Sequence, residues 1–204
     1  MIKSVVLNAA FSSFQLTIMS VVIETTIGAV TLDLYTATRP KLCRNFLKLC
    51  KVKFYNFCLF HNVQPRFMAQ TGDPGGTGRG GESVFRRLYG DQARFFDGDE
   101  DLPKIRHSRR GHISMVGAGD NLFGSQFLIT LDDDLGHLDG DNRVFGEVVA
   151  VDDDGSLDVL DKFNEVIVDE EQRPFQVING PVGVTTCSSH DLANRPFLAE
   201  IKRL

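Results

Sequence analysis

Apolar and polar positions alternate along two neighbouring runs near the start of the chain, residues 21–26 and 29–35. Side chains two positions apart lie on the same face of a strand, so this alternation predicts strands with one buried face. The Ile27-Gly28 pair between the runs is typical of a turn, and the two runs therefore predict a β-hairpin. Shorter β-rich runs predict further strands at residues 58–63, 67–70, 113–116, 126–131 and 143–149.

Apolar residues recur at helical spacing in two other segments. The first begins at Pro40, which suits the first turn of a helix, and the helix is predicted to end near Lys51. The second is marked by Leu157, Leu160 and Phe163. Residues between 84 and 112 show little periodicity and predict a long irregular segment. Two helices and about eight strands predict a mainly β fold, a closed eight-stranded antiparallel barrel capped by the two helices.

The length of 204 residues predicts one compact domain with short appendages. We expect an N-terminal extension at residues 1–19, the barrel domain at residues 20–180 and a divergent C-terminal tail at residues 181–204. The extension lacks the continuous apolar core of a signal peptide, which favours an added leader over a working address signal. In the tail, residues 182–187 are expected to form a strand, because the first strand needs a partner at its edge.

The charge balance argues against nucleic acid as a main partner. The chain has 22 basic and 27 acidic residues and a net charge of −5, so a dominant phosphate-binding surface is not expected. The basic stretch at residues 104–110 is interpreted as a solvated loop, with an RNA contact as the alternative. No apolar run reaches the length of about 18 residues that predicts a membrane span.

The cysteines predict no metal site. Cys43, Cys50, Cys58 and Cys187 form no CxxC pair, and zinc sites usually contain such pairs. Buried thiols in a reducing compartment are the favoured interpretation.

A glycine-rich run at residues 71–83 contains the spacing GxGxxG through Gly76, Gly78 and Gly81. In a dinucleotide site this motif joins a strand to a helix inside a βαβ unit, and the residues after Gly81 begin no convincing helix. The favoured interpretation is an exposed loop that turns through positive φ values, with nucleotide binding as the alternative.

Six sequence runs follow one another along residues 21–166. They are ETTIGAVTLDLY from residue 24, RPKLCRNFLKLC from 39, FYNFCLFH from 54, FMAQTGDPGGTGRGGES from 67, GSQFLIT from 124 and HLDGDNRVFGEV from 137. In this order they resemble the cyclophilins, the family of peptidyl-prolyl cis-trans isomerases. The resemblance implies a cyclophilin-like barrel that acts on X-Pro bonds of peptides or proteins, needs no cofactor and works as a monomer.

The runs are also similar to a nuclear subgroup in which an RNA-recognition domain follows the isomerase domain. That similarity implies a nuclear location, with the cytoplasm as the alternative, and ribonucleoprotein partners. The tail after Pro181 lacks an aromatic run of the kind that stacks on bases. We therefore expect no RNA-recognition domain here and no direct contact of this domain with nucleic acid.

The resemblance also implies the site residues. The catalytic set is Asn62, Phe67 and Gln70. The substrate-binding set is His61, Met68, Val116, Gly117, Ala118, Gln126, Leu128, His137, Leu138 and Asn142. The proline ring is expected among Phe67, Met68, Leu128 and Leu138, while the two glutamines orient the peptide carbonyls. From the residues alone, alternatives stay open: Phe67 and Met68 as ordinary core, the two glutamines bonded internally, and His61 as a satisfied core histidine.

The chain departs from the family pattern at five site positions. Asn62 stands where the family usually has an arginine that donates a hydrogen bond, and Leu128 replaces a pocket phenylalanine. Gly117 replaces a groove asparagine, Asn142 a histidine and His137 a tryptophan. The loss of a charge-assisted donor at position 62 predicts weakened catalysis, and the loss of the tryptophan predicts weak binding of cyclosporin-type drugs. An inactive proline-peptide-binding scaffold of a ribonucleoprotein assembly is the alternative.

Overall fold

One antiparallel sheet organises the chain. The structure is a computed structural model that describes residues 19–98, 103–149, 155–175, 178 and 184–188. Its strands are β1 (Met19–Thr25), β2 (Gly28–Leu34), β3 (Asn62–Gln64), β4 (Met68–Thr71), β5 (Phe96–Asp97), β6 (His112–Gly117), β7 (Leu122–Thr130), β8 (Arg143–Val148) and β9 (Val184–Ser188). Eight of them follow the order β3-β4-β7-β6-β8-β2-β1-β9, and β5 pairs with β7 off this path. The mainly β prediction is therefore confirmed.

The sheet is open, so the prediction of a closed barrel was wrong. Within the described ranges no ladder joins β3 to β9, the two ends of the path. The edge next to β3 is covered by isolated loop contacts instead. The Val63 N–H donates to the Gln172 carbonyl at 2.8 Å, and the Phe60 N–H donates to the Ile178 carbonyl at 3.0 Å. These contacts satisfy edge donors without a further strand.

The same contacts explain a second correction. Residues 58–63 were expected to form one strand, but the strand begins only at Asn62. Phe57 has a φ of 65°, which lies in the left-handed region, so the chain changes direction just before this segment. Phe60 then bonds to a residue far along the chain rather than to a neighbouring strand.

The predicted hairpin and the predicted tail strand are both present. In the hairpin, Val21 lies opposite Leu32 and Ile23 lies opposite Val30. β9 pairs antiparallel with the free edge of β1, which confirms the strand expected in the tail. The expectations for residues 1–18, for the side chain of Cys187 and for the rest of the tail lie outside the described residues.

Three helices are described: α1 (Pro40–Lys51), α2 (Arg86–Tyr89) and α3 (Ser156–Asn164). The bounds of α1 confirm the prediction from the apolar spacing and from Pro40. The stripe of α3 was also predicted, and its Ser156 hydroxyl accepts the Thr31 N–H at 2.9 Å, which ties the helix to β2. The four-residue α2 lies in the segment that was expected to be irregular.

The main core lies between α1, α3 and one face of the sheet. Phe46 of α1 is fully buried, and its ring centroid lies 5.2–5.3 Å from those of Tyr55, Phe127 and Phe145. Burial of a phenylalanine side chain contributes roughly 1.5–3 kcal/mol, so this cluster is a large part of the stabilising burial. Cys43, Cys50 and Cys58 are buried thiols that take part in no disulfide among the described residues, and their burial was predicted from the sequence.

Candidate functional site

The face of the sheet opposite the main core carries most of the predicted site residues. β4 lies between β3 and β7, and residues directly opposite each other in antiparallel strands share a face. Asn62 lies opposite Gln70, and Gln70 lies opposite Leu128. The alternate residues, such as Val63 and Ala69, are fully buried in the main core. The strand register therefore brings the side-chain amides of Asn62 and Gln70 and the apolar side chain of Leu128 to one surface, which we call the outer face.

The apolar part of the outer face surrounds Phe67. Met68 and Leu128 are buried but lie outside the main core cluster. The half-buried Phe67 ring stacks on His137, with centroids 5.1 Å apart and an interplanar angle of 24°. Phe67 was expected inside a strand, but it lies in the turn before β4. Because the turn releases it from strand alternation, Phe67 and Met68 do not have to point to opposite faces.

Four side-chain amides form a row beside these apolar groups. Gln64 Nε2 donates to Asn62 Oδ1 at 3.1 Å, and Asn62 Nδ2 donates to Gln70 Oε1 at 3.5 Å. Gln70 Nε2 then donates to Gln126 Oε1 at 2.7 Å. This set, the amide row, shows that Gln70 and Gln126 do bond internally, one of the two alternatives open from the sequence. The amide nitrogens of Gln64, Asn62 and Gln70 each carry a second N–H for which these contacts do not account.

The amide row ends on the glycine-rich loop. Gln126 Nε2 donates to the carbonyls of Gly78 and Gly80, each at 2.9 Å. The loop itself wraps around the buried carboxylate of Asp73. That carboxylate accepts five hydrogen bonds from four loop residues. The donors are the backbone N–H groups of Gly75, Thr77, Gly78 and Gly80 and the hydroxyl of Thr77.

The hydrogen bonds to Asp73 favour its charged carboxylate and argue against nucleotide binding by the loop. Burial raises the pKa of Asp73, but its hydrogen bonds outweigh that effect and leave the pKa below the ordinary value. Gly76, Gly78 and Gly81 have positive φ values, as the sequence predicted. The loop N–H groups that would cradle a phosphate in a dinucleotide site are instead occupied by Asp73.

His61 is buried behind the loop rather than satisfied in the core. Only 8% of the residue is exposed, and neither ring nitrogen has a partner at hydrogen-bond geometry. A Cβ on Gly78 would lie 3.3 Å from the ring, so the loop covers His61 closely. Burial lowers the pKa of His61, and the nearby Asp73 carboxylate offsets part of that effect. The imidazole is therefore neutral at pH 7.

A cavity of about 170 Å³ opens on the outer face at one end of the amide row. Its lining consists of Gln70, Gly78, Arg79, Gly80, Phe95, Val116, Gly117, Ala118, Gly124, Ser125 and Gln126. Five predicted site residues are among them, the two glutamines and the three consecutive residues at the end of β6. The lining does not include Phe67, Met68, Leu128 or Leu138, so the predicted ring niche and this cavity are separate parts of the surface.

The loop at residues 136–142 carries the remaining predicted residues. His137 is exposed, while Leu138 and Asn142 are half-buried. Asn142 Oδ1 accepts the Gly117 N–H at 3.4 Å, and Asn142 Nδ2 donates to the Leu138 carbonyl at 3.3 Å. These two bonds hold the loop against β6, and substrate binding by Asn142 stays a prediction. The described residues contain no cluster of three or more His, Cys, Asp or Glu arranged for a metal ion.

The same loop is tied to a buried histidine. His107 Nδ1 lies 2.6 Å from Asp139 Oδ1, and its Nε2 lies 2.9 Å from the Ser114 hydroxyl. Burial lowers the pKa of His107, and the Asp139 carboxylate opposes that effect. Ser114 is fully buried, so this serine, histidine and aspartate brace the loop and present no accessible nucleophile.

Sequence reasoning missed two contributors to the site, Gln64 and Asp73. Strand alternation could have found Gln64, because it lies two residues after Asn62 and shares its face. Asp73 directly precedes Pro74 and the glycine run, a position typical of an aspartate that bonds to its own turn. No membrane-spanning helix can be identified in the described ranges, since none is both long and apolar enough.

Comparison with known proteins agrees with this architecture. Residues 20–182 match the family described as cyclophilin type peptidyl-prolyl cis-trans isomerase/CLD. The human peptidyl-prolyl cis-trans isomerase-like 4 is 54% identical over 160 residues, which cover 78% of this chain and 31% of the human protein. The Caenorhabditis elegans peptidyl-prolyl cis-trans isomerase sig-7 is 49% identical over 160 residues, 78% of this chain and 36% of that protein. The matched part thus spans only about a third of each relative's length.

Solved structures show the same fold. A Cryptosporidium parvum cyclophilin type peptidyl-prolyl cis-trans isomerase superposes with a TM-score of 0.73 at 32% identity, covering 84% of this chain and 99% of that one. The structure of that protein in the presence of the dipeptide Ala-Pro gives a TM-score of 0.71 at 32% identity, covering 83% and 99% of the two chains. With its sheet order, its outer face and these matches, the chain belongs to the cyclophilin-type peptidyl-prolyl cis-trans isomerase family.

Proposed function

We propose that this chain catalyses cis-trans isomerisation of X-Pro bonds in peptides or proteins, at a lower rate than arginine-containing relatives. The observation that carries the proposal is the register of β3, β4 and β7, which brings Asn62, Gln70 and Leu128 to one face. Membership of the family supports the reaction. A related cyclophilin was solved in the presence of Ala-Pro, which supports a proline-containing peptide as the ligand.

The chemistry of the reaction explains the residue types on the outer face. Rotation about a peptide bond crosses a barrier of roughly 18–20 kcal/mol, because twisting removes the amide resonance. In the twisted state the prolyl nitrogen regains a lone pair that can accept a hydrogen bond. A catalyst must hold the pyrrolidine ring and offer a donor to that nitrogen, since only contacts that strengthen in the twisted state accelerate the step.

Each requirement has a candidate on the outer face. Phe67, Met68 and Leu128 supply apolar surface for the ring. Gln70 and Gln126 present amide groups beside the cavity, where they can bond to the peptide backbone on either side of the proline. Asn62 is the donor to the prolyl nitrogen.

The reduced rate follows from the chemistry of Asn62. Its amide is neutral and shorter than an arginine side chain, so it stabilises developing electron density less strongly. Its carbonyl oxygen is already bonded to Gln64, and one of its N–H groups points at Gln70. Only one N–H of Asn62 is left to act on substrate.

A proline-peptide-binding scaffold is the second candidate. The engagement of Asn62 and Gln70 with each other favours it, because a site whose amides satisfy one another can hold a peptide without driving rotation. A nuclear location and ribonucleoprotein partners are proposed on the resemblance alone, and monomeric behaviour likewise.

Exchange NMR on a short Ala-Pro-containing peptide separates the two candidates. An isomerase produces exchange between cis and trans peptide signals at protein concentrations far below that of the peptide, whereas a scaffold shifts the signals and leaves the exchange rate unchanged. Phe67→Ala removes the stacked ring and is expected to abolish both effects. Shifts without accelerated exchange would contradict the isomerase proposal and support the scaffold.

A further inference from the structure

We propose that Gln64 and Asp73 are positioning residues for Asn62. Gln64 acts on Asn62 directly, and Asp73 acts through the glycine-rich loop and the amide row. The inference rests on the proposed function in one respect, the role of Asn62 as the donor to the prolyl nitrogen. The amide row itself is a property of the free protein and is testable without substrate.

The amide row has a single direction. Every nitrogen donates toward the glycine-rich loop, from Gln64 to Asn62, from Asn62 to Gln70 and from Gln70 to Gln126. The direction is imposed at the loop, because the last two partners are backbone carbonyls and carbonyls can only accept. Gln126 must turn its nitrogen to the loop, so its oxygen faces Gln70. The same logic then fixes Gln70 and Asn62 in turn.

Asp73 holds the two carbonyl-bearing residues in place. Its carboxylate accepts the N–H groups of Gly78 and Gly80 at 2.8 and 3.1 Å, and these residues supply the carbonyls that meet Gln126. The packing there is tight, since a Cβ on Gly80 would lie 2.1 Å from Asp73 Oδ1. The terminal acceptors therefore cannot turn away from the amide row at low cost.

The amide row changes how strongly Asn62 donates a hydrogen bond. Gln64 donates to its oxygen and thereby draws electron density toward the carbonyl. Chains of hydrogen bonds polarise one another, so the remaining N–H of Asn62 becomes a stronger donor than that of an isolated amide. Gln64 thus partly compensates for the neutral side chain at position 62, and it does so without touching the substrate nitrogen.

The test uses two replacements that keep the length of Gln64. Gln64→Met cannot donate to Asn62. Gln64→Glu reverses the direction of the hydrogen bond to Asn62, because a carboxylate only accepts and therefore attracts the Asn62 nitrogen. The loop carbonyls still hold Gln126 in its original direction. The conflict leaves two oxygens facing each other somewhere along the row. Gln92→Glu, on the exposed turn at residues 91–93, introduces the same charge change outside the site and is the matched control.

Two readouts are taken on each variant: the side-chain amide NMR signals, and kcat and KM for isomerisation. Gln64→Met is expected to lower kcat about fivefold, the equivalent of one net hydrogen bond, with little change in KM. Gln64→Glu is expected to lower kcat further, and Gln92→Glu to match the wild type. Gln126→Met, at the far end of the row, is expected to shift the Asn62 amide signal although Gln70 lies between the two residues.

The outcomes separate this inference from the proposed function. An active wild type whose kcat is unchanged in both Gln64 variants would overturn the positioning role, as would a change confined to KM. If the wild type is inactive, the proposed function fails and the amide signals alone decide. Movement of the Asn62 signal in both Gln64→Met and Gln126→Met then supports the amide row, and a fixed signal in either variant contradicts it.

Discussion

At the level of single residues, Asn62 has the largest influence on the proposed catalysis. Its position on β3, opposite Gln70, is the one the family resemblance assigns to an arginine donor. Its side chain bonds to two other amides, those of Gln64 and Gln70. A neutral donor supported by neighbours is chemically competent but weaker than a charged one.

Replacing Asn62 with arginine is expected to raise kcat, because a guanidinium donates more strongly and reaches further than an amide. Loss of a well-placed donor in other enzymes costs roughly 10²–10³-fold in rate, which sets the upper limit of the gain. The expected gain is smaller, since the amide row is built for a side chain that accepts from Gln64. Steady-state kinetics on one peptide, with Asn62→Gln as the neutral control, measure it. An arginine variant no faster than the wild type would contradict the claim of weakened catalysis.

At the scale of the element, the loop at residues 136–142 determines where the aromatic stack lies. Gly117 of β6 lies against the backbone of this loop, and a Cβ there would be 2.2 Å from the Asp141 carbonyl oxygen. A larger residue at position 117 therefore has to displace the loop that carries His137. The loop can approach β6 this closely because position 117 is a glycine here and not the family's asparagine.

Gly117→Ala is expected to lower the free energy of unfolding by about 1–3 kcal/mol, the usual cost of overpacking, and to raise KM by moving His137 away from Phe67. Urea unfolding and peptide kinetics measure the two effects. Gly140→Ala is the control, because a Cβ at Gly140 meets nothing within 4 Å. Equal stability of the two variants would show that the loop is not constrained at Gly117.

The bounds of helices and strands were predictable from the sequence where they depend on neighbouring residues. The apolar spacing after Pro40 predicted α1, and the alternation on either side of Ile27 predicted the hairpin. The strand at residues 58–63 was predicted too long, because the Phe60 N–H near its start bonds to the carbonyl of Ile178, more than a hundred positions away, and not to a neighbouring strand. The amide row was not predictable for the same reason, since it depends on the register of three strands and on a loop.

At the scale of the whole molecule, one sheet separates two environments. One face packs on α1 and α3 and forms the main core, and the other carries the candidate site. His61, His107 and His112 are all at least nine-tenths buried within this arrangement. Burial is the largest cause that lowers the pKa of each of them.

These histidines predict that stability falls in mild acid. The unfolded chain binds protons at histidine near pH 6.5, whereas the folded chain binds them only at lower pH. Below about pH 6.5 the unfolded state therefore holds more protons, and the free energy of unfolding decreases as pH falls toward the folded pKa values. Urea unfolding between pH 7.5 and pH 5 measures the effect. A flat wild-type profile would contradict the prediction.

The proposed function requires that the outer face accelerates rotation about an X-Pro bond. The most direct measurement is the cis-trans exchange rate of an Ala-Pro peptide by NMR, with the protein present in small catalytic amounts. Without a catalyst this exchange takes tens to hundreds of seconds. We expect a rate that increases in proportion to the protein concentration and returns to the uncatalysed value with Phe67→Ala. A wild-type rate equal to the uncatalysed one at every protein concentration would contradict it.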